Sequence, residues 1–207
     1  MEKILIVVDM QKDFVDGSLG TKEAQSIVPA VKDKIENFEG DIIFTKDTHE
    51  EDYLNTQEGQ NLPVVHCIRG TAGHEIIEEL QPYTKRALAI FEKETFGSRK
   101  LAGFLKELHK EKKIESIELI GLCTDICVVS NALLIKAFLP EVPISVTAGC
   151  CAGVTPEKHK SALETMKSCQ IEVRETKAKK PPYISNDSVV AAREMHWSAF
   201  SLAPSRI

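Results

Sequence analysis

Several features that would indicate a membrane or nucleic-acid protein are missing from this chain of 207 residues. No apolar run approaches the roughly 18 residues that a membrane-spanning helix needs. Met1-Glu2-Lys3 leads directly into a predicted strand, so we expect no signal peptide. A formal net charge of −5 and a sequence pI near 5.7 disfavour nucleic acid and anionic membranes as partners. We therefore expect a cytoplasmic protein.

The chain also lacks the cysteine spacing of a structural metal site. Its six cysteines contain no C-x-x-C pair, and Cys123 and Cys127 stand four positions apart with no second pair to match them. Most of the six lie in or beside apolar segments. Without a predicted export signal, reduced thiols are a better interpretation than disulfides, and a zinc ion held by cysteines is disfavoured.

Short apolar runs that alternate with helical patterns indicate the fold class. Continuous apolar runs are typical of parallel strands buried on both faces, and the alternation favours right-handed crossovers. The sequence therefore predicts a three-layer α/β/α, Rossmann-like fold with a mostly parallel sheet of roughly six strands. Predicted strands cover residues 3–9, 41–46, 87–91, 117–122, 142–147 and 170–173, and predicted helices cover 23–38, 98–112, 125–138 and 156–168.

Two segments depart from this alternation. A long polar segment, 48–86, is inserted within the compact domain, and insertions of that kind are more often functional than accidental. After a single domain over 1–176, the basic, proline-containing start of 177–207 predicts a C-terminal extension with one helix from about Ser185 to Trp197. That extension would pack on the body of the protein or on a partner subunit.

Reactive side chains stand at the carboxyl ends of four predicted strands. Asp9, Asp47, Lys93 and Cys127 follow the first four strands in turn, and open parallel sheets bind ligands at this edge. Each residue alone has a structural explanation, Cys127 as a buried core thiol above all. Together they predict a cysteine nucleophile with Asp9 as its base and Lys93 as the cation that orients Asp9.

The position of Cys127 near a helix start adds to this interpretation. With Thr124 or Asp125 as the helix cap, Cys127 would lie about one turn into the helix, where free backbone amides favour a thiolate. The backbone amides of Cys123 and Cys127 could then form an oxyanion hole.

A second group of side chains in the 48–86 region and beside it suggests a metal site. Asp47 and His49 are spaced to lie on one side of an extended segment, and Glu58 and His66 could complete the set. Mixed nitrogen and oxygen ligands suit zinc, iron or manganese. The alternative is a polar surface loop, which the neighbouring acidic residues also fit.

The chain resembles the isochorismatase-like cysteine hydrolases, and most closely their nicotinamidase (pyrazinamidase) branch. The similarity extends in the right order over residues 3 to about 175, and the final 30 or so residues lie outside it. Two positions depart from the family pattern: many relatives have tryptophan shortly before His66 and aspartate at Gly149. The matching segments are 7–14 (VVDMQKDF), 45–49 (TKDTH), 66–71 (HCIRGT), 93–96 (KETF), 121–128 (GLCTDICV) and 151–157 (CAGVTPE).

The resemblance implies roles for the candidate residues. Asp9, Lys93 and Cys127 correspond to the family's catalytic triad, and Leu122–Cys123 to a cis peptide bond that turns an amide into the oxyanion hole. The family's divalent metal, most often zinc, would hold the pyridine nitrogen of the substrate, with Phe14 and Phe96 as substrate contacts. The implied metal ligands are Asp47, His49, His66 and, at a position where relatives have His or Glu, Glu58.

The resemblance also implies an activity, namely hydrolysis of nicotinamide and pyrazinamide to the acid and ammonia through a cysteine thioester, by a homo-oligomeric enzyme. One alternative is a metal-independent amidase of the same family that acts on a carbamoyl or ureido substrate. Another is a catalytically silent family member that acts as a binding protein. Cleavage of isochorismate itself is disfavoured, because it needs no nucleophilic cysteine.

Overall fold

Six parallel strands form one sheet in the computed structural model, which describes residues 2–175. Their order across the sheet is β3-β2-β1-β4-β5-β6, and every neighbouring pair is parallel. The predicted fold class is therefore confirmed. The strands are β1 (Glu2–Val8), β2 (Asp41–Asp47), β3 (Ala89–Lys93), β4 (Ile114–Leu122), β5 (Ile144–Ala152) and β6 (Glu172–Arg174).

Helices connect the strands, and the longer ones begin at side-chain caps. Thr21, Ser98 and Thr155 each accept a hydrogen bond from the backbone amide three residues later, which satisfies a free donor at the helix start. The helices are α1 (Lys12–Val15), α2 (Lys22–Glu36), α3 (Gln57–Asn61), α4 (Gln81–Thr84), α5 (Arg99–Glu111), α6 (Val129–Phe138) and α7 (Pro156–Ser168). A π-helical turn, Thr124–Val128, directly precedes α6.

The strand order places a crevice between β1 and β4. The chain builds the sheet outward from β1 to β3 and then crosses back to continue on the other side with β4. Ligands of such sheets bind at this switch point, beyond the carboxyl ends of the strands. Both strands are buried over the residues that lead there, since Ile4–Val8 are fully buried, so their carboxyl ends are held rigidly.

β4 ends at Leu122, as predicted, whereas β5 differs from the prediction. Within β4, Gly121 pairs with Val8 in a left-handed conformation, with φ of +113°. A Cβ atom there would lie 2.1 Å from the Val8 carbonyl oxygen, so only glycine fits. On its other side the pairing shifts from Val146 to Cys151 between Leu119 and Gly121. This bulge explains why β5 extends to Ala152, beyond its predicted end.

The 48–86 segment folds into short turns and helices rather than strands. It contains two 3₁₀ turns, Tyr53–Asn55 and Ala72–His74, as well as α3 and α4. A parallel bridge between His49 and Ile68 joins the start of the segment to its middle. Consequently His49 and His66 lie near each other although 16 residues separate them.

Some predictions about the whole chain stay predictions. The extension over 177–207 and its helix lie outside the described residues, and the homo-oligomer has not been tested. Of the helices in residues 2–175, none combines the length and the apolar character that crossing a bilayer requires. All six cysteines are free thiols, as their spacing predicts.

Candidate active site

The structure brings Asp9, Lys93 and Cys127 into direct contact. The Nζ atom of Lys93 lies 2.7 Å from Oδ2 of Asp9 and 3.4 Å from Sγ of Cys127. Lys93 ends β3, two strands away from β1 in the sheet, and its long side chain passes the end of β2 to reach Asp9. Asp9 itself follows β1 with φ of +46°, a strained conformation that tends to occur at functional sites.

The charges of this buried group depend on one another. Burial lowers the pKa of Lys93, but Asp9, Cys127 and Asp47 around it raise the pKa well above its usual value, so the ammonium persists. For Asp9, burial and the neighbouring Asp47 charge together raise the pKa more than the Lys93 charge and the hydrogen bonds of Lys93 and Thr45 lower it. Asp9 is therefore a stronger base than an exposed aspartate.

Cys127 differs in one respect from the sequence-based expectation of a thiolate. Its side chain is almost completely buried, and burial raises the pKa of the thiol more than the Lys93 charge lowers it. A hydrogen bond with Asp9 raises the pKa further. Desolvation therefore opposes the thiolate that the helix start and the cation favour. A nucleophilic role then requires Asp9 to take the proton as Cys127 attacks.

Thr45 lowers the pKa of Asp9, so a Thr45 variant can test whether Asp9 acts as the base. Its Oγ1 donates a 2.6 Å hydrogen bond to Oδ1 of Asp9, which lowers the pKa of Asp9. In Thr45→Val we expect that pKa to rise, so that the acid limb of kcat/KM moves to higher pH. Activity should fall roughly five- to tenfold on the acid limb and little on the plateau above it, given about 1–1.5 kcal/mol for the lost bond. A pH profile with an unchanged acid limb would contradict the role of Asp9.

The helix that carries Cys127 begins one residue earlier than predicted. Cys123 is the residue before the first turn, and the Val128 amide donates to the Cys123 carbonyl oxygen at 3.0 Å, five residues back. This π-helical start replaces the predicted cap by Thr124 or Asp125. The Leu122–Cys123 bond is trans, as are the other peptide bonds of the described residues, so the implied cis bond is not present. The oxyanion hole formed by the amides of Cys123 and Cys127 stays a prediction.

Four further side chains, three of them buried, form a compact cluster next to Lys93. One ligand atom from each of Asp47, His49, Glu58 and His66 lies within 4.8 Å of the other three. Nε2 of His49 and of His66 lie 3.0 and 3.6 Å from Oδ2 of Asp47. The structure therefore gathers all four predicted metal ligands, with the two-nitrogen, two-carboxylate donor set that suits a divalent metal.

Two details of the cluster fit a bound cation. Nδ1 of His66 is 2.8 Å from the Val64 carbonyl oxygen, an arrangement that places the proton on Nδ1 and leaves Nε2 free as a ligand. Burial and the Asp47 charge raise the pKa of Glu58, and a divalent cation between these two carboxylates would remove their repulsion. The residues present thus suit a metal ion, and its identity is not given by the geometry.

Comparison with known proteins agrees with this geometry. Residues 3–178 match the family described as the isochorismatase domain. A Bacillus subtilis isochorismatase family protein, PncA, is 33% identical over 177 residues, which cover 79% of this chain and 93% of that protein. The chain belongs to the isochorismatase family. The resemblance to this family is thereby confirmed.

Two further relatives of this isochorismatase-family protein have named activities. The nicotinamidase of Schizosaccharomyces pombe is 28% identical over 209 residues, which cover 82% of this chain and 91% of the relative. The crystal structure of the Pyrococcus horikoshii pyrazinamidase in complex with zinc has a TM-score of 0.70 at 29% identity. The match covers 84% of this chain and 99% of that one.

Aromatic rings surround the histidines of this family member. The Phe14 ring lies 5.5 Å from the His66 ring, so the predicted substrate contact does border the metal cluster. Tyr53, which the sequence did not single out, is fully buried against both His49 and His66 at 4.6 and 5.0 Å. Its hydroxyl donates to the Leu62 carbonyl oxygen. In the sequence, Tyr53 belongs to no regular strand or helix pattern. The only available signal was its position in the inserted 48–86 segment, near Glu58.

Asn131 is a second residue that sequence reasoning missed. Fully buried, it donates from Nδ2 to the carbonyl oxygens of Cys127 and Phe96, at 2.8 and 3.0 Å. Its Oδ1 accepts from the Ser98 amide. Asn131 therefore ties the Cys127 turn to the segment after β3. The Phe96 ring is 45% exposed, and its role as a substrate contact stays a prediction.

Proposed function

We propose that this protein hydrolyses nicotinamide to nicotinate and ammonia, and accepts pyrazinamide, through a thioester on Cys127. The observation that carries the proposal is the position of Lys93, whose ammonium contacts Asp9 and Cys127 and also lies 2.8 Å from Oδ1 of Asp47, a member of the metal cluster. Nucleophile, base and metal ligands are thus parts of one buried site. The named activities of the nicotinamidase and pyrazinamidase relatives support the choice of substrate.

The chain's own groups account for both half-reactions. Asp9 takes the thiol proton while Cys127 attacks the carboxamide carbon, and the backbone amides of Cys123 and Cys127 stabilise the oxyanion. Asp9 then returns the proton to the departing ammonia, and the thioester remains. In the second half, Asp9 takes a proton from water, whose oxygen attacks the thioester carbon. The C–S bond then breaks, Asp9 returns this proton to the sulfur of Cys127, and the released acid ionises to nicotinate. Lys93 keeps its charge throughout and holds Asp9 against the thiol.

The residues that would hold the metal are Asp47, His49, Glu58 and His66. When bound, the metal supplies a Lewis acid that orients and polarises the substrate ring. Zinc is the ion we propose, supported by the donor set and by the zinc complex of the Pyrococcus horikoshii pyrazinamidase; iron and manganese suit the same donors. The four-ligand cluster argues against the metal-independent carbamoyl or ureido amidase. The buried contacts among Asp9, Lys93 and Cys127 argue against the silent binding protein.

Ammonia release from nicotinamide, measured with and without a chelator, tests this proposal. We expect turnover with metal present, and after chelation an at least tenfold rise in KM or a complete loss of binding, since the metal orients the ring. His49→Ala should reproduce the effect of the chelator and lose near-stoichiometric metal. His109→Ala is the matched control, because His109 accepts a hydrogen bond from the Ile114 amide at the amino end of β4, whereas the site lies at the carboxyl ends of the strands. A KM for nicotinamide that metal removal leaves unchanged would contradict the role of the metal, whereas no ammonia release from nicotinamide with metal present would favour the carbamoyl or ureido alternative.

A further inference from the structure

Gln11 is a fully buried side chain to which neither the mechanism nor the resemblance assigns a role. Its side-chain amide engages both backbone groups of Asp47. Oε1 accepts from the Asp47 amide at 2.7 Å, and Nε2 donates to the Asp47 carbonyl oxygen at 2.8 Å. Two short bonds to the same residue restrict both the position and the rotation of its backbone.

The Gln11 side-chain amide lies beside the backbone of Asp47 on the side that faces β1. In the sheet alone, this part of β2 would have no hydrogen bonds to β1. The pairing of β1 with β2 stops at Val7 and Phe44, three residues before Asp47. After the last paired residue of β1, Asp9 adopts its left-handed conformation. The backbone amide of Gln11 then donates to the Asp9 carbonyl oxygen at 2.8 Å. This turn directs the Gln11 side chain back towards β2. The side-chain amide of Gln11 thus makes the hydrogen bonds to the Asp47 backbone that a neighbouring strand would otherwise make.

Asp47 is the residue at which such restraint has the largest consequence. Its Oδ1 lies 2.8 Å from the Lys93 ammonium, and its Oδ2 faces the two histidines of the metal cluster. The two oxygens therefore serve two different groups, and a rotation of the carboxylate would disturb both. Hydrogen bonds to the residues that ligate a metal commonly change metal affinity or activity by about 10- to 100-fold.

A third bond of Gln11 extends the restraint to the next residue. Nε2 also donates to the His74 carbonyl oxygen at 2.9 Å, and the His74 ring lies 2.9 Å from Oγ1 of Thr48. Thr48 stands between Asp47 and His49, the first two ligands of the cluster. Gln11 thus restrains this ligand segment directly at Asp47 and indirectly, through His74, at Thr48.

We propose that Gln11 is a positioning residue that orients the Asp47 carboxylate, so that one side-chain amide controls both metal affinity and the placement of Lys93 in the triad. The activity part of this inference rests on the proposed function, whereas the metal part does not. Gln11 itself touches neither the metal cluster side chains nor the thiol.

The test compares Gln11→Met and Gln11→Glu with the wild-type protein. Methionine keeps the size and removes every bond, whereas glutamate keeps the acceptor for the Asp47 amide and loses both donors. The first readout is the zinc dissociation constant, measured by competition with a chromophoric chelator. The second is kcat for nicotinamide at saturating zinc and substrate. We expect zinc to bind about 10- to 100-fold more weakly to Gln11→Met, with a fall in kcat as well.

Thr147→Val is the matched control for a loss of stability alone. It removes a buried hydrogen bond to Glu118, and neither residue has a contact with the candidate site in the described structure. A merely structural role for Gln11 predicts that its variants melt earlier but bind zinc like Thr147→Val. Folded Gln11→Met with zinc affinity and kcat within about threefold of the wild-type values would overturn the proposal.

A measurement on the wild-type protein decides the question if neither variant folds. Zinc should slow hydrogen exchange of the Asp47 backbone amide and the Gln11 side-chain amide, because a ligated carboxylate holds its backbone more rigidly against Gln11. Exchange at both positions that is unchanged by bound zinc would overturn the proposal. Wild-type protein that binds zinc yet releases no ammonia from nicotinamide would end the proposed function, while the zinc measurements would still decide the role of Gln11.

Discussion

Cys127→Ala should lose about 10⁴-fold or more of the ammonia-releasing activity, because Cys127 is the thiol held in contact with Lys93 and Asp9. The protein should keep its fold, since the substitution removes one buried sulfur atom and leaves the turn and α6 intact. It should also bind zinc as tightly as the wild-type protein, because the thiol is not one of the four clustered ligands. Ammonia release, thermal melting and zinc titration measure these three properties.

Cys150→Ala is the matched control for Cys127→Ala. Cys150 is also a buried free thiol, but its Sγ atom contacts the Ala30 carbonyl oxygen of α2 rather than the site. We expect this variant to be fully active, with a similar small change in melting temperature. Wild-type turnover by Cys127→Ala would end the mechanism, and a zinc affinity lost together with the thiol would show that the cluster is wrongly assigned.

Lys93→Met should produce the largest loss of stability. Lys93 is 4% exposed and is the cation that separates the carboxylates of Asp9 and Asp47. Removing one partner of a buried ion pair costs about 3–5 kcal/mol, because the remaining charge has lost its solvation and its partner. For a domain of this size that loss corresponds to a fall in melting temperature of roughly 6–20 °C. Activity should vanish as well, and thermal unfolding with chelator present would measure the stability.

Two comparisons separate this electrostatic effect from a packing effect. Adding Asp9→Asn to Lys93→Met removes one of the uncompensated charges and should recover at least about 1 kcal/mol. Lys110→Met removes an exposed lysine that pairs with Glu107, and should change stability by less than about 1 kcal/mol. A single Lys93 variant as stable as the Lys110 variant would show that the two carboxylates do not depend on Lys93.

Individual residues show how much of the site could be predicted from the sequence. Asp9, Asp47, Lys93 and Cys127 could be found because each stands next to an apolar run, and apolar runs are visible without coordinates. Gln11, Tyr53 and Asn131 could not, since their importance lies in contacts with backbone groups and rings that are distant in the chain. Burial opposes the thiolate expected at Cys127, for a related reason. The sequence shows the helix start, but the extent of burial, which decides the pKa, depends on packing.

The sequence by itself determined the parallel α/β fold, the edge of the sheet at which the site lies and the identity of its reactive groups. These follow from local patterns: apolar runs that can only be buried strands, and polar residues where those runs end. Only the tertiary structure decided that Lys93 crosses from β3 to Asp9 and Cys127, and that Asp47 faces the triad with one oxygen and the metal cluster with the other. The physical reason is that desolvation and charge pairing depend on distances of a few ångströms between residues far apart in sequence.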